Sequence, residues 1–131
     1  MLRRTFLQTF TTLLSGIALP EIPQDKWISS PWKILQISPV AGFRYYQGEA
    51  LWSQLQEGQM LKLVREPNNP YDNCAVRIDW QEYQLGYIPR MDNTAISQLL
   101  DRKEKMSALI IGLKKSNNPW ERIRMEVKWF I

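Results

Sequence analysis

The chain of 131 residues contains no histidine and a single cysteine, Cys74. A zinc centre needs about four ligands drawn from Cys, His and carboxylates, and catalytic triads and Cys–His pairs need a histidine. The sequence therefore indicates no metal site, and one cysteine excludes an intramolecular disulfide. Because Cys74 directly precedes an apolar run, we expect it to be a small buried side chain rather than a reactive thiol.

Long apolar runs and clustered acids are also missing. No uninterrupted apolar stretch reaches about 18 residues, so no ordinary transmembrane helix is predicted. No glycine-rich phosphate-binding loop ending in Lys-Ser or Lys-Thr occurs, and the acidic residues are scattered. These absences favour a non-catalytic protein without a cofactor, since metal-dependent phosphoryl chemistry uses clustered carboxylates. The net charge of +4 is compatible with an anionic partner, but many plain soluble domains share it.

The first 19 residues combine a basic start with a moderately apolar stretch that has no acids. The run Arg3–Leu7 resembles a twin-arginine export signal, and Gly16–Ala18 offers the small residues that signal peptidase requires. This pattern predicts a leader over 1–19 and an exported or periplasmic protein. The alternative is an amphipathic N-terminal helix on a cytoplasmic protein, because several apolar residues of this segment fall on one helical face.

The remaining chain is predicted to be mainly β (α+β). Residues 20–32 contain three prolines and are interpreted as a linker to a domain over 33–131. Alternating apolar residues predict strands, and two short helices are expected. The predicted strands are 33–40 (continuing irregularly to 46), 60–65, 75–80, 83–88, 106–113 and 122–131, and the helices are 49–55 and 94–101. Five or six short strands favour a small OB-like or SH3-like barrel, which removes exposed sheet edges.

The most distinctive stretch is 65–76, which reads Arg-Glu-Pro-Asn-Asn-Pro-Tyr-Asp-Asn-Cys-Ala-Val. Prolines fix φ, and asparagine and aspartate bond their local backbone, so a rigid loop between two strands is predicted. A simple hairpin needs only about two to five loop residues. This longer loop carries Tyr71 and Asp72 at its tip, as binding loops on a fixed scaffold do.

Together with Val40–Tyr46 and Leu85–Arg90, this loop resembles the HIRAN domain over about residues 34–113. The resemblance implies an OB-like barrel. In eukaryotes this domain is fused to SWI/SNF-type DNA translocases and recognises the 3′ end of single-stranded DNA, and in bacteria it also occurs alone. The zinc binding and ATP hydrolysis of those larger proteins belong to their other domains and are not transferred to this sequence.

The resemblance also implies roles for three residues, two of them in the 65–76 loop. Tyr45 and Tyr71 match the positions that hold the end bases, and Asp72 matches the carboxylate that accepts the 3′-hydroxyl. A carboxylate accepts an O–H group but repels a phosphate, so it would reject a 3′-phosphate or an uninterrupted strand. The structural alternatives are that one of Tyr45 and Tyr46 lies in the core, and that Asp72 only stabilises its own loop.

Three more residues complete the predicted site. Arg44 and Arg90 lie, by resemblance, where basic groups would meet a backbone phosphate. Arg90 could equally be a solvated surface charge. Tyr87 stands where the family can have a histidine, and it keeps a ring and a donor but not a titratable cation.

Two functions of different classes remain open from the sequence. The first is a monomeric module that binds ends of single-stranded DNA. The second is an exported module that binds a protein or an envelope component through the same aromatic loop. Strong salt dependence would favour the nucleic acid. A nuclease is disfavoured, because the sequence identifies no second acid to work beside Asp72.

Overall fold

Six strands form one antiparallel sheet in the computed structural model, which describes residues 30–131. The strands are β1 (Trp32–Pro39), β2 (Met60–Glu66), β3 (Ala75–Trp80), β4 (Tyr83–Tyr87), β5 (Met106–Leu113) and β6 (Ile123–Phe130). Their order across the sheet is β1-β6-β5-β2-β3-β4. The predicted small, mainly-β domain of six strands is confirmed. The predicted leader, and the predicted linker up to residue 29, lie outside the described residues.

The sheet curls back on itself through one bridge between its two edges. Directly after β1, Ala41 N–H donates to the Tyr87 carbonyl oxygen at 2.8 Å, and Tyr87 N–H donates to the Ala41 carbonyl oxygen at 2.9 Å. A Cβ atom on Gly86 would lie 2.2 Å from the Ala41 oxygen. Glycine at position 86 therefore permits the close approach that joins β4 to the end of β1.

Two short helices pack against this sheet, as the pattern predicts. Helix α1 (Gly48–Leu51) continues into a 3₁₀ turn over Trp52–Gln54, so the predicted helix at 49–55 is only half α-helical. Helix α2 (Thr94–Asp101) has the predicted bounds, and it buries Ile96 and Leu99.

The core lies inside the curled sheet and beneath the helices. Apolar side chains from all six strands or their flanking turns contribute to it, and burying each large one stabilises the fold by about 1.5–3 kcal/mol. The largest fully buried apolar side chains are Phe43, Ile78, Leu85, Ile88, Ile96, Ile110, Ile123 and Met125. The alternating strand β6 supplies Ile123, Met125 and Val127 to this core, as its pattern predicts.

The first strand departs from the predicted alternation. Ile34 and Ile37 are exposed by 58% and 46%, whereas Leu35 packs against the core. An irregularity in the pairing of β1 with β6 between Ile34 and Gln36 changes which side chains face inward. Leu35, rather than Ile34 or Ile37, is therefore the side chain of this stretch that packs against the core.

The predicted irregular strand up to residue 46 is also wrong. Gly42 has a φ of 75°, and the chain then forms a 3₁₀ turn over Phe43–Tyr45. Tyr45 and Tyr46 consequently do not alternate between core and solvent, and their exposed fractions are 76% and 38%.

Cys74 is half-buried rather than buried as predicted, because it lies in the turn before β3 and the strand's buried residues begin with Ala75. Arg122, directly before β6, is buried although its side chain is charged. Among residues 30–131, no helix is long and apolar enough to cross a membrane.

Substituting Gly86 tests the bridge that closes the sheet. Gly86→Ala is expected to lower the free energy of unfolding by about 1–3 kcal/mol, because the new methyl group forces two strands apart. Urea unfolding followed by tryptophan fluorescence measures this change. In the control Gly112→Ala, the new methyl group meets only the Arg124 Cβ at 3.4 Å. Equal unfolding midpoints for the two variants would contradict the structural role assigned to Gly86.

Candidate functional site

The β2–β3 loop is held by the short polar side chains that its sequence supplies. The Asn69 Oδ1 atom accepts hydrogen bonds from the backbone N–H groups of Tyr71 at 2.9 Å and Asp72 at 3.2 Å. The Asp72 Oδ1 atom in turn accepts the Cys74 N–H at 2.9 Å. These bonds confirm the predicted local backbone role of Asp72, and they fix the position from which its other oxygen projects.

The second oxygen of Asp72 is held by residues from the segment after β4. Asp72 Oδ2 accepts a hydrogen bond from Asn93 Nδ2 at 2.7 Å and lies 3.8 Å from Arg90 Nε. Arg90 also donates to the Tyr71 carbonyl oxygen. A carboxylate has about four acceptor positions, and the Asp72 side chain is 19% exposed. Asp72 therefore keeps acceptor capacity for a donor that arrives from solvent.

A cavity of about 340 Å³ opens in front of this carboxylate. Its size is at the lower end of the range of about 300–1,000 Å³ for small-ligand sites. Aromatic rings from three parts of the chain line it together with small apolar residues. The lining residues are Ala41, Tyr46, Asn69, Pro70, Tyr71, Asp72, Ala75, Tyr87, Ile88 and Arg90. The rings of Tyr46 and Tyr87 meet edge to face, with their centroids 5.8 Å apart.

Beneath the cavity, the Glu66 carboxylate joins three elements of the fold. Its Oε1 atom accepts hydrogen bonds from the Tyr87 hydroxyl at 2.8 Å and Asn69 Nδ2 at 3.0 Å. Its Oε2 atom accepts from Arg77 at 3.0 Å, and Arg77 also pairs with Asp79. Partial burial would raise the pKa of Glu66, but the hydrogen bonds from Asn69, Tyr87 and Arg77 outweigh it and lower the pKa.

Tyr87 is committed to this network. Burial, followed by its hydrogen bond to Glu66, raises the pKa of Tyr87 to about 12. Its hydroxyl therefore stays protonated at neutral pH and donates to Glu66. The Tyr87 ring forms part of the cavity lining. Its hydroxyl, which the sequence suggested as a hydrogen-bond donor for a ligand, instead donates to Glu66 inside the protein.

The structure brings four of the six predicted site residues to one cavity: Tyr71, Asp72, Tyr87 and Arg90. Tyr45 is not among the residues that line this cavity, but its neighbour Tyr46 is. Arg44 lines a separate cavity.

Sequence reasoning missed three residues of the site. Tyr46 had the correct signal, since it is paired with Tyr45, but only the 3₁₀ turn exposes both rings. Asn93 stands at the N-cap position of α2, but its side chain makes no capping bond and instead holds Asp72. Nothing in the sequence spacing of Glu66 indicated its contact with Tyr87. Within residues 30–131, no cluster of three or more Cys, Asp or Glu residues is placed to hold a metal ion.

A family model described as the HIRAN domain matches residues 35–130. The chain belongs to the HIRAN domain family. The match extends beyond the range 34–113 over which the sequence resembles the family, and it includes β6.

Similar curated proteins contain a HIRAN-like segment within a much longer chain. A helicase-like transcription factor of Mus musculus is 37% identical over 79 residues, which are 60% of this chain and 7% of that protein. A putative SWI/SNF-related matrix-associated actin-dependent regulator of chromatin subfamily A member 3-like 1 of Arabidopsis thaliana is 30% identical over 95 residues, which are 72% of this chain and 10% of that protein. This chain therefore spans a tenth or less of the length of these relatives.

Two crystal structures share the fold. A protein from Lactobacillus plantarum aligns with a TM-score of 0.65 at 25% identity, covering 75% of this chain and 94% of that one. The HIRAN domain of human HLTF aligns with a TM-score of 0.59 at 23% identity, covering 76% of this chain and 79% of that one. The second likeness establishes the fold alone, and it agrees with the predicted OB-like class.

The hydrogen-bonded position of Glu66 predicts an acid-dependent loss of stability. The folded state lowers the Glu66 pKa below 4.5. The ionised carboxylate therefore stabilises the fold fully above that pH, and this stabilisation is lost as the pH falls through the folded-state pKa. Glu66→Gln is expected to be less stable than wild type at neutral pH by about 1–3 kcal/mol. It is also expected to lose less stability than wild type on acidification.

Urea unfolding of the full chain at a series of pH values measures this difference. The matched control is Glu82→Gln, which neutralises an exposed carboxylate in the β3–β4 turn. A pH profile of Glu66→Gln that runs parallel to wild type would contradict the assigned role of Glu66.

Proposed function

We propose that this HIRAN domain is a non-catalytic module that binds single-stranded DNA at a free 3′-hydroxyl end. The observation that carries the proposal is the Asp72 carboxylate, fixed at an open cavity beside the exposed ring of Tyr71. Fixed acceptors in partly dehydrated sites discriminate between donors and anions more sharply than mobile ones in water.

Exposed aromatic rings supply the attraction for the bases. Among residues 30–131, Tyr71 and Tyr45 have the most exposed aromatic side chains, with exposed fractions of 82% and 76%. Stacking a base on such a ring is worth about 1–3 kcal/mol and does not depend on base identity. In the proposed complex the terminal base stacks on Tyr71 and the preceding base on Tyr45.

Asp72 supplies the preference for an end. A terminal 3′-hydroxyl can donate to the carboxylate, whereas a 3′-phosphate would place a second negative charge beside it. Two like charges 4 Å apart repel by about 1 kcal/mol in water and by about 4 kcal/mol near a protein surface. Arg90, which is 69% exposed, meets the phosphate on the 5′ side of the terminal nucleotide in the proposed complex.

The relatives support a nucleic-acid partner. Their names describe helicase-like transcription factors and a regulator of chromatin. The loop 65–76 that contains Tyr71 and Asp72 lies inside the matched family segment.

A second candidate function rests on the twin-arginine-like run at Arg3–Leu7. An exported protein would meet extracellular DNA, or it would use the same aromatic cavity for a protein or envelope component. Binding that hardly changes with salt concentration would favour a protein partner over a nucleic acid.

Recognition of the end is tested by fluorescence anisotropy with the full chain and three labelled ligands. These are a single strand with a 3′-hydroxyl, the same strand with a 3′-phosphate, and a circular strand. Wild type is expected to prefer the 3′-hydroxyl by about 10–100-fold, which corresponds to a charge-assisted hydrogen bond of about 1.5–3 kcal/mol. Asp72→Asn is expected to remove most of this preference, because an amide oxygen accepts more weakly and does not repel phosphate.

The control for this experiment is Glu57→Gln, which removes one negative charge from an exposed position outside the cavity. Its preference for the 3′-hydroxyl is expected to equal that of wild type. Equal affinity of wild type for all three ligands would overturn recognition of the end. Undetectable binding of every strand at low salt would overturn the nucleic-acid function itself.

Stacking is tested separately by Tyr71→Ala. The variant is expected to bind the 3′-hydroxyl strand more weakly by about 1–3 kcal/mol, while Tyr71→Phe stays close to wild type, because only the ring is needed. Anisotropy measures both affinities, and the thermal unfolding midpoint checks that the exposed residue is not structural. A loss in Tyr71→Phe as large as that in Tyr71→Ala would show that the hydroxyl, rather than the ring, binds the strand.

A further inference from the structure

The start of helix α2 supplies a buried partner for the Asp72 carboxylate. Asn93 directly precedes this helix, and its Nδ2 atom donates to Asp72 Oδ2 at 2.7 Å. Asn93 is only 2% exposed, whereas the Asp72 side chain is 19% exposed. A hydrogen bond from a buried amide to a carboxylate faces little competition from water. This bond therefore fixes the direction in which the Asp72 side chain points.

The fold in turn fixes the position of the Asn93 amide. The Asn93 carbonyl oxygen accepts the Ser97 N–H at 2.9 Å in the first turn of α2, and Ile96 anchors that turn because its side chain is fully buried. From β1, Gln36 Nε2 donates to the Asp92 carbonyl oxygen at 2.9 Å. A strand and a helix thus hold the residues around the amide, and a group on such rigid elements positions its partner more precisely than a group on a loop.

Arg90, the other group near the same carboxylate oxygen, is held less firmly. Its Nε atom lies 3.8 Å from Asp72 Oδ2, and its side chain is 69% exposed. An exposed ion pair of this kind does little to fix its partners, because water and salt compete with it. Arg90 can therefore turn toward a ligand without releasing Asp72, since Asn93 still holds the carboxylate.

The neutral amide also suits the selectivity proposed for this carboxylate. Asn93 donates a hydrogen bond but carries no charge, so the buried partner leaves the negative charge of Asp72 in place. A cation at the same position would offset the repulsion of a 3′-phosphate. We infer that Asn93 is the positioning residue that keeps Asp72 aligned with a 3′-hydroxyl and so determines the preference for an end. This inference rests on the proposed function.

The inference is tested by Asn93→Ser in the full chain. Serine is a favoured residue at the start of a helix, so α2 is expected to form, but the serine hydroxyl is too short to reach Asp72. Anisotropy is measured with the 3′-hydroxyl, 3′-phosphate and circular strands. The preference for the 3′-hydroxyl is expected to fall roughly 3–10-fold, as for the loss of one hydrogen bond, while the affinity for the circular strand stays at the wild-type value. Asn93→Ala, which removes the amide without adding a hydroxyl, is expected to give the same result.

The matched control is Ser97→Ala, which alters another buried side chain of the same helix. The Ser97 hydroxyl donates to the Thr94 carbonyl oxygen at 2.9 Å, so its hydrogen bond lies within the helix. This variant is expected to keep the wild-type preference even where its thermal unfolding midpoint falls. Equal losses of affinity for all three strands in Asn93→Ser would overturn the positioning role, since they would show general damage to the fold.

A double-mutant cycle shows whether Asn93 acts through Asp72. In the Asp72→Asn background, Asn93→Ser is expected to change the affinity for the 3′-hydroxyl strand by less than about twofold, because the carboxylate that Asn93 positions is already gone. A loss as large as that in the wild-type background would overturn an action through Asp72.

The failure of this inference can be told apart from the failure of the proposed function. A wild-type protein with no preference for the 3′-hydroxyl would overturn recognition of the end, and the role of Asn93 in it. A wild-type protein with the preference, together with folded Asn93→Ser and Asn93→Ala variants that keep it, would overturn only the role of Asn93.

Discussion

The hydrogen bonds accepted by Glu66 are the interaction on which the candidate site depends. This one carboxylate at the end of β2 is contacted by Asn69 in the β2–β3 loop, by Arg77 on β3 and by Tyr87 on β4. Asn69 then fixes the backbone of Tyr71 and Asp72. A single partly buried anion thus sets the relative positions of the cavity floor and the loop that forms its wall.

A second constraint is the closure of the sheet between Ala41 and Tyr87. The bridge brings the 3₁₀ turn after β1 next to the β2–β3 loop, although more than 20 residues separate them in sequence. Tyr46 reaches the cavity only because of this closure, and Gly86 permits it by leaving space for the Ala41 carbonyl group. The stability of the fold and the geometry of the cavity therefore both depend on the Ala41–Tyr87 bridge. For that reason a methyl group at position 86 is expected to affect both.

The charges around the site have two distinct environments. Arg77, Arg65 and Arg122 are held in ion pairs, and each of these three arginine side chains is less than one-third exposed, so they act within the fold. Arg90 and Arg44 are exposed, and each lines a different cavity. A modest net charge of +4 is thus compatible with local attraction for phosphate, because the exposed Arg90 guanidinium lies at the cavity that contains Tyr71 and Asp72.

The sequence by itself determined the strand set, helix α2, the rigid β2–β3 loop and the family. Period-two alternation and local Asn, Asp and Pro geometry are properties of neighbouring residues, and they can be read without the fold. The tertiary structure decided which side chains meet. Asn93 holds Asp72, Tyr87 donates inward to Glu66, and Arg44 lines a different cavity from Arg90. The sequence could not determine these contacts, because they join segments that only the closure of the sheet brings together. The burial of Leu35 rather than Ile34 or Ile37 has a related cause, since the irregularity lies in the pairing of β1 with the distant strand β6.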